Sequence, residues 1–481
     1  MDRQDYPHLQ TRRDFVRQAA CAAVGTLSVA ATIRDLHFIN TAAAQTSLTD
    51  YKALVCIFLS GGNDSNNLII PVGTDYPNYA SVRQNLALPE AAVLPIAPVN
   101  PDGHTYGLHP KLLKLQTLFG ESKAAFLFNV GPLSYPMTRS QYSSGAVPKP
   151  PQLFSHSDQV THWQTSLPDQ PPKTGWGGRI ADILHPLQYE LLGGIPTANA
   201  SKIALCTSLA GANTYEVGNT FAQYHVSTSG AVTISGVSGA QLQRMKNILA
   251  LPDTNLQRTA FADVTENALA TGDLLNASIA ATSASNYWTV PFPTTSLGNQ
   301  LKMVARLIQA RSPLNMKRQI FFTSVGGYDT HTSQVGNTAA PTDPTVGSHA
   351  NLLTELSDAV FAFQRAMEQI SASDKVTSFT MSDFGRTFKT NGQGSDHAWG
   401  SHHFVVGGAV NGKRTVGTFP VLSVTGPDAV PSSNEGRWIP KTSVDEYSAT
   451  LAKWFGVSQS NLGVVFPNLG RFASPDLGFM L

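Results

Sequence analysis

Four runs of apolar residues are spaced along the chain, and each run predicts a strand that is buried on both faces. The runs span residues 52–59, 124–130, 319–325 and 376–382. Strands at the centre of a parallel sheet are covered on both faces, so they carry continuous apolar runs rather than alternating apolar and polar residues. We therefore expect these four segments to be neighbouring strands of one sheet.

Segments with the residue pattern of helices separate these runs. Helices are predicted over residues 108–119, 155–163, 352–370 and 443–457. Alternating strands and helices are typical of α/β proteins with a parallel sheet. The pattern predicts an α/β fold with a central, mostly parallel sheet and helices on both faces.

Residues 195–300 differ in character from the rest of the chain, because they are rich in Ser, Thr, Ala, Asn and Gly. Short strands are expected within residues 221–238, and residues 240–275 are expected to be helical. Buried strands resume at residue 319. We therefore interpret the segment as a small inserted cap within one domain that spans residues 45–481.

The N-terminal residues predict export from the cytoplasm. Residues 11–17, TRRDFVR, fit the twin-arginine (Tat) signal, and a weakly apolar stretch and three alanines at 42–44 follow it. The apolar stretch is short and is interrupted at residues 34–35, so a membrane anchor is not expected. We expect residues 1–44 to be a signal peptide that the Tat translocon recognises. The mature protein would then be periplasmic or secreted and would not span a membrane.

Composition and charge exclude several classes of protein. The 481 residues are 42% hydrophobic and 14% charged, which suits a folded chain with a large core. Beyond residue 44 the chain has 28 basic and 28 acidic residues, so it lacks the basic field that a nucleic-acid partner requires. The three cysteines have no metal-binding spacing, and Cys56 lies in an apolar run, which favours a buried thiol over a disulfide.

Three of the predicted strands are followed by an aspartate, at Asp64, Asp329 and Asp383. The carboxyl ends of parallel strands meet at one edge of a sheet, where ligands of α/β proteins bind. Three carboxylates at one edge repel each other unless a cation neutralises them. Histidines stand nearby at His331 and His397, and imidazole and carboxylate are common metal ligands. The sequence therefore predicts one or two divalent metal ions at this edge, with Zn, Ca, Mg and Mn as candidates.

A serine lies at the start of the helix predicted from residue 155. Ser155 with Asp158 three residues later resembles a capping box. A hydroxyl at a helix N-terminus is also suited to be a nucleophile, because the helix dipole stabilises anions there. Both interpretations of Ser155 stay open on this pattern alone, with Ser157 as an alternative nucleophile.

Seven short motifs, spread over most of the chain beyond residue 44, resemble those of one family. They are FLSGGND (58–64), LHPKL (108–112), FSHSDQ (154–159), GWGGR (175–179), GGYDTH (326–331), SDFGRT (382–387) and SDHAWG (395–400). In content and order they resemble the secreted family called domain of unknown function 1501, which is assigned to the alkaline phosphatase and sulfatase superfamily. The resemblance implies an alkaline phosphatase-like fold.

The resemblance also implies roles for individual residues. Asp64 corresponds to the first metal ligand and Ser155 to the nucleophile, while Asp329 and His331 correspond to a metal-binding pair, with His349 as an alternative histidine. Asp383 corresponds to the aspartate of the superfamily's Asp-His-Gly signature, and His397 to a late histidine ligand.

Three features depart from the superfamily pattern. Phe384 stands where the Asp-His-Gly signature has histidine, and Asp329 and His331 are spaced more closely than the corresponding pair of alkaline phosphatases. Ser155 lies outside any Cys/Ser-x-Pro-x-Arg motif, so formylglycine chemistry is not expected. A literal Asp-His pair occurs instead at Asp396 and His397, and both could be ligands.

Two functions fit these observations. One is a Tat-exported, metal-dependent hydrolase of phosphate or sulfate esters, with a small molecule or a polymer as substrate. The other is a non-catalytic secreted binding or surface protein that retains the fold. The chain has no G-x-S-x-G and no H-E-x-x-H motif, so nothing indicates a serine hydrolase of the α/β-hydrolase type or a zincin.

Overall fold

The computed structural model describes residues 48–481, with gaps at residues 190, 193–194, 197–202, 222, 232–235, 238, 253, 285, 337–341 and 432. The predicted signal peptide and Cys21 lie outside the described residues. Within the described part of the chain, no helix is long and apolar enough to cross a membrane.

The strands are distributed along the whole described chain. They are β1 (Lys52–Leu59), β2 (Ile69–Val72), β3 (Leu94–Ile96), β4 (Thr105–Leu108), β5 (Ala124–Gly131), β6 (Leu191–Leu192), β7 (Ile195–Pro196), β8 (Cys206–Ser208), β9 (Tyr224–Ser227), β10 (Gly230–Ala231), β11 (Arg318–Val325), β12 (Val376–Ser382), β13 (Ser401–Gly407), β14 (Arg414–Val416) and β15 (Thr442–Ser443). The four predicted apolar strands are β1, β5, β11 and β12.

Helices connect most of these strands. They are α1 (Tyr76–Arg83), α2 (Leu113–Gly120), α3 (Arg139–Ser144), α4 (His156–Thr165), α5 (Trp176–Tyr189), α6 (Gly239–Leu249), α7 (Leu256–Ile279), α8 (Ser296–Gln309), α9 (Ser348–Gln369), α10 (Val444–Phe455) and α11 (Leu462–Val465). The predicted helices are α2, α4, α9 and α10. Helix α2 begins later than predicted, because Pro110–Leu112 form a 3-10 turn before it.

A ten-stranded sheet forms the centre of the described fold, in the order β10-β9-β8-β11-β1-β12-β13-β5-β14, with β15 also paired to β5. Strands β8, β11, β1 and β12 are parallel neighbours. The predicted α/β class with a mostly parallel sheet is therefore confirmed.

One expectation about strand neighbours was wrong. β13 lies between β12 and β5 and is antiparallel to both. The fourth predicted strand, β5, is therefore in the same sheet but not next to β12. Buried apolar runs occur in every central strand, so they carry no information about which two strands pair or in which direction.

Both faces of the sheet are covered by helices. Along β1, Ala53, Val55 and Ile57 enter one hydrophobic core, which includes side chains of α2, α8 and α9. Leu54, Cys56 and Phe58 enter the opposite core, which includes side chains of α4, α5 and α10. Burying one such large apolar side chain contributes about 1.5–3 kcal/mol. The continuous apolar runs of the sequence are explained by this double coverage.

Part of the predicted cap is integral to the central sheet. Strands β8, β9 and β10 extend the sheet beyond β11. Helix α7 packs Leu275 and Ile279 into the core on the first face. Cys206 in β8 and Cys56 in β1 are buried free thiols, as predicted for Cys56. The division of the chain into a signal peptide and one domain stays a prediction.

Candidate metal centre

The carboxyl ends of β11, β1 and β12 lie side by side. Leu59 pairs with Val325 on one side and with Ser382 on the other, so the loops after these strands leave the same edge. Gly61 lies in the loop after β1 with φ +115°. A Cβ at this position would lie 2.4 Å from the backbone nitrogen of Asp329, in the loop after β11. The glycine therefore allows two of the three loops to approach closely.

Four side chains converge above this edge: those of His156, Asp329, His331 and His397. Asp329 is at the centre. Its Oδ1 lies 3.1 Å from His331 Nε2 and 3.3 Å from His397 Nε2, and its Oδ2 lies 3.5 Å from His156 Nε2. The side chain of Asp329 is 45% exposed, so the cluster is open to solvent.

Each imidazole points its Nε2 toward the cluster and is held in place through its Nδ1. His156 Nδ1 lies 2.7 Å from Asp383 Oδ2, and His331 Nδ1 lies 2.7 Å from Asp396 Oδ1. His397 Nδ1 lies 2.8 Å from the carbonyl oxygen of Phe154. A carbonyl and an ionised carboxylate only accept hydrogen bonds, so Nδ1 donates in each pair and Nε2 is the atom that a neutral imidazole offers to a metal. Such outer partners orient histidine ligands in metal sites.

The Nε2 atoms of His331 and His397 lie 2.8 Å from each other. Two neutral imidazoles that both donate through Nδ1 cannot hydrogen-bond to each other through Nε2. The contact therefore requires a proton or a metal cation shared by the two lone pairs. His156, Asp329 and His397 also each offer a ligand atom within 4.8 Å of the others. The described residues thus include a set of donors that fits a divalent cation.

The pKa directions favour the forms that bind metals. Burial tends to raise the pKa of Asp329, but the hydrogen bond and charge of Arg386 outweigh it and lower the pKa. Asp396 likewise has a lowered pKa, because hydrogen bonds from Asn391 and His331 outweigh burial. Burial lowers the pKa of His397, which favours its neutral imidazole. Metal binding needs an ionised carboxylate and a neutral imidazole.

Asp383 differs from the other carboxyl groups of the centre. It is 2% exposed, and burial raises its pKa despite a hydrogen bond from the backbone N–H of Gly61, 3.0 Å from Oδ1, and the contact with His156. Asp383 was predicted to be a metal ligand. The structure places it behind His156, where it orients that imidazole.

Asp64, the first predicted ligand, makes other contacts. It is fully buried and forms an ion pair with Arg83, and it accepts hydrogen bonds from Gln334 and Asn66. Burial tends to raise the pKa of Asp64, but Arg83 outweighs it and lowers the pKa. None of the contacts described for Asp64 is with the four converging side chains. Its charge is neutralised by an arginine from α1, which the strand pattern did not indicate.

Of the two alternative histidines, His331 joins the cluster and His349 does not. His349 is buried at the start of α9, and its Nε2 lies 3.0 Å from Asn63 Oδ1. His402 and His403 belong to β13 and are buried in the sheet, where burial lowers the pKa of each to about 3. His402 and His403 follow Asp396 closely in sequence, but they are not among the four converging side chains.

Ser155 lies at the N-cap position of α4, directly before His156. Its hydroxyl forms no capping bond to the backbone of the helix. Instead it donates to Asp158 Oδ2 at 2.6 Å and lies 3.1 Å from the hydroxyl of Ser157. The expected capping box is therefore absent at this helix, and the serine hydroxyl is held by a carboxylate.

Two residues of the centre were missed in the sequence. His156 lies inside the FSHSDQ motif directly after Ser155, and the resemblance assigned a role to Ser155 but none to His156. Arg386 is fully buried and donates from Nη1 to Asp329 Oδ1 at 2.6 Å. It lies in the SDFGRT motif. The signal that could have identified it is an arginine three residues after Asp383, in a motif that directly follows a predicted strand.

The family comparison covers the part of the chain that contains the last three of the seven motifs. The model of the family described as "Protein of unknown function (DUF1501)" matches residues 238–434. The chain resembles the DUF1501 family. No curated protein matches the chain.

Several solved structures share a remote likeness with the chain. The structure of Ps i-CgsB in complex with k-i-k-neocarrahexaose is 9% identical, with 89% of this chain and 78% of that chain covered and a TM-score of 0.35. The PsFucS1 sulfatase from Pseudoalteromonas sp. is 9% identical, with 86% and 69% covered and a TM-score of 0.34. The C-terminal periplasmic domain of EcEptC from Escherichia coli, in complex with Zn, is 10% identical, with 86% and 84% covered and a TM-score of 0.31. At these values the likeness carries no information about the reaction of this chain.

Proposed function

We propose that this chain is a hydrolase of phosphate or sulfate esters that depends on a divalent metal ion. The observation that carries the proposal is the 2.8 Å contact between the Nε2 atoms of His331 and His397, beside the carboxylate of Asp329. Four donors that converge in a solvent-open position suit a catalytic metal site better than a structural one, which is closed.

The residues that would hold the ion are His156, Asp329, His331 and His397. Imidazole-rich sets favour Zn, whereas Ca, Mg and Mn suit oxygen ligands. When bound, a divalent ion supplies a Lewis acid that polarises an ester oxygen. Asp383 and Asp396 would serve as the carboxylates that orient two of the imidazoles.

The proposed nucleophile is Ser155, with Ser157 as the alternative. The carboxylate of Asp158 accepts the hydrogen bond of the Ser155 hydroxyl, so it is placed to take the proton when that oxygen attacks. The dipole of α4 favours the negative charge that develops at its N-terminus. Ser155 and the ligand His156 are consecutive, which connects the proposed nucleophile to the centre through one peptide unit.

A second candidate function is a secreted binding or surface protein that keeps the metal centre without catalysis. It is favoured by the contacts of the Ser155 hydroxyl, which in the described residues are with Asp158 and Ser157 and not with the four ligands. Both functions require the metal, so metal binding is tested before turnover.

The experiment is elemental analysis of the mature protein purified from the compartment to which it is exported, followed by titration of the metal-free protein with Zn²⁺ or Mn²⁺. We expect one tightly bound ion per chain in the native protein and in His104→Ala, and strongly reduced content in Asp329→Asn and His331→Ala. His104 is a matched control, because its Nδ1 also lies 2.6 Å from a carboxylate, that of Asp75, outside the cluster. Normal metal content in the two site variants would contradict the proposal.

The metal-loaded protein is then assayed with p-nitrophenyl phosphate, bis(p-nitrophenyl) phosphate and p-nitrophenyl sulfate. We expect hydrolysis of at least one ester, lost when the ion is removed by a chelator and restored when it is returned. A tightly bound ion without hydrolysis of any ester favours the binding protein.

A further inference from the structure

Phe154 is connected to two separate parts of the candidate metal centre. Its carbonyl oxygen lies 2.8 Å from His397 Nδ1 and accepts the hydrogen bond that orients this imidazole. Its C-terminal neighbour in sequence is Ser155, the proposed nucleophile, at the N-cap position of α4. A shift of Phe154 would therefore displace a proposed metal ligand and the proposed nucleophile together.

The ring of Phe154 is half-buried, and a guanidinium lies over it. The Cζ atom of Arg437 is 4.2 Å from the ring centroid. A cation within about 6 Å of the centroid is attracted by the negative face of an aromatic ring, and the planar guanidinium of arginine stacks well on such a ring. The ring also packs against an apolar cluster that includes Leu153 and Trp399. Arg437 therefore supplies the charged contact, and the cluster the apolar contacts, that fix the ring.

Arg437 is itself held in place by its side chain and by its backbone. Its Nη2 lies 2.8 Å from Glu435 Oε2, and its side chain is 21% exposed. The next residue, Trp438, is buried, and its carbonyl oxygen accepts a hydrogen bond of 2.9 Å from the backbone N–H of Gly400. Arg437 is thus anchored to the segment of the chain that carries His397.

We infer that Arg437 is a positioning residue of the centre. Through the ring of Phe154 it fixes the carbonyl oxygen that orients His397 and the backbone that carries Ser155. The inference rests on the proposed function, because it concerns a proposed ligand and the proposed nucleophile. A displacement of about 1 Å at a reacting group can lower a rate by about a hundredfold. The contact of one guanidinium with one ring is therefore enough to affect turnover, although Arg437 does not touch the ester.

The first test measures the hydrogen bond between His397 and Phe154 in the metal-free protein, so it requires neither an ion nor turnover. Nuclear magnetic resonance of protein with isotope-labelled histidine reports the exchange of the Nδ1 proton with solvent, and His397→Gln assigns the signal. We expect Arg437→Gln to accelerate this exchange by about threefold to tenfold, which corresponds to the loss of a partly exposed cation–π contact. Arg437→Lys keeps a cation over the ring and should exchange at a rate close to that of the wild type. Unchanged exchange in Arg437→Gln would overturn the inference.

The matched control is Arg365→Gln. The Cζ atom of Arg365 lies 4.6 Å from the ring centroid of Phe361 on α9, and the arginine is 19% exposed and pairs with two glutamates. None of the contacts described for Arg365 is with the centre, so the exchange of the His397 proton should stay at the wild-type rate. Equal acceleration in Arg365→Gln and Arg437→Gln would show a general loosening of the fold and overturn the inference.

A double-mutant cycle tests whether Arg437 acts through the ring. Phe154→Leu removes the aromatic face but keeps the backbone carbonyl, so it should accelerate the exchange of the His397 proton as Arg437→Gln does. The double variant should exchange within about twofold of Phe154→Leu alone, because the partner of the guanidinium is already absent. Phe154→Tyr keeps the ring and should exchange as the wild type does. Multiplied effects in the double variant would overturn the inference.

Kinetic measurements separate a positioning role from direct contact with the substrate. With the p-nitrophenyl ester that the wild type hydrolyses, Arg437→Gln should lower kcat by about tenfold and leave KM within about twofold, since the lost contact affects the placement of Ser155 rather than the binding of the ester. Arg437→Lys should restore most of kcat. A rise in KM at unchanged kcat would mean that the guanidinium binds the ester directly, and would overturn the inference.

The inference and the proposed function fail in different ways. Absence of a bound ion together with absence of hydrolysis of all three esters removes the proposed function. In that case the proton exchange of His397, measured on the metal-free protein, still decides whether Arg437 holds this imidazole through Phe154. Ion-dependent hydrolysis together with wild-type exchange in Arg437→Gln removes the inference alone.

Discussion

The imidazole of His156 packs against the ring of Phe384, with ring centroids 4.8 Å apart and the ring planes tilted by 39°, while its Nδ1 lies 2.7 Å from the carboxylate of Asp383. In the superfamily signature that the chain resembles, a histidine follows the aspartate directly in sequence. In this chain phenylalanine follows it, and the first residue of helix α4, His156, brings an imidazole to the same carboxylate beside that ring. The histidine that Phe384 replaces in the signature thus has a counterpart in His156, which contacts Asp383 from a distant segment of the chain.

The carboxylates behind the imidazoles should strengthen metal binding. We expect Asp383→Asn and Asp396→Asn each to weaken the affinity for the metal by about 10–100-fold, because an amide holds the imidazole less firmly and lowers its basicity. Competition with a chromogenic chelator measures this. Asp75→Asn, which removes the carboxylate from His104 elsewhere on the surface, should leave the affinity unchanged. Wild-type affinity in both site variants would show that the two carboxylates have no such role.

The buried ion pair of Asp64 and Arg83 should stabilise the fold without contributing to metal binding. Both side chains are 0% exposed, and Arg83 also donates to the carbonyl oxygens of Thr387 and Phe388. Arg83→Met leaves the carboxylate buried without its charged partner, which should cost about 3–5 kcal/mol of the free energy of unfolding in urea.

Two companion measurements separate the roles of this pair. The double variant Asp64→Leu with Arg83→Met should recover much of the lost stability, because neither charge is then buried alone. Metal content should stay near one ion per chain in Asp64→Asn. Loss of the ion from Asp64→Asn would restore Asp64 to the ligands that the sequence predicted.

The buried strands could be predicted from the sequence because the pattern that marks them lies within each strand's own residues. A strand covered on both faces needs apolar side chains at successive positions, so β1, β5, β11 and β12 were found from their composition alone. The antiparallel insertion of β13 was not, because strand order depends on contacts between distant segments. In the site, too, residues that follow strands could be predicted and residues brought by tertiary packing could not. Asp329 and Asp383 were found by their position after strands, whereas the approach of His156 from α4 depends on tertiary packing.

Glu216 should make the stability of the protein fall as the pH rises. The residue is 1% exposed, and burial raises its pKa from 4.5 to about 8. Between these two values the folded protein binds a proton that the unfolded chain releases, so the free energy of unfolding decreases with increasing pH. Below pH 4.5 Glu216 is protonated in both the folded and the unfolded state, so it adds no pH dependence. The loss of stability from Glu216 reaches its full size only above about pH 8.

The corresponding variant is Glu216→Gln. It should be more stable than the wild type at pH 9, by a few kcal/mol at most, and similar to it at pH 4. Chemical denaturation at both pH values measures the difference. Glu90→Gln, at an exposed position, is the control and should show no such pH dependence. A Glu216→Gln variant that gains no stability over the wild type between pH 4 and pH 9 would indicate that Glu216 is solvated in solution.

Export should depend on the arginine pair at Arg12 and Arg13. The Tat signal requires both arginines, so replacing both with lysine should retain the precursor in the cytoplasm with its first 44 residues still attached. Cell fractionation and the mass of the N-terminal peptide measure this. Replacing Arg3 and Arg34 with lysine alters two arginines outside the motif and should leave export normal. Export of the Arg12→Lys, Arg13→Lys precursor at the normal level would contradict the Tat assignment.

The choice between a hydrolase and a binding protein depends on Ser155. If its oxygen is the nucleophile, Ser155→Ala should lower kcat by about a thousandfold or more while the metal content is retained, because the four ligands remain in place. Asp158→Asn should lower kcat less and shift its pH dependence, since it removes the carboxylate that accepts the Ser155 hydrogen bond. Ser157→Ala is the matched control on the same helix turn and should retain most of the activity. If instead Ser157→Ala abolishes turnover and Ser155→Ala does not, the nucleophile is the second serine of the motif. Full activity in both variants would exclude either serine as the nucleophile.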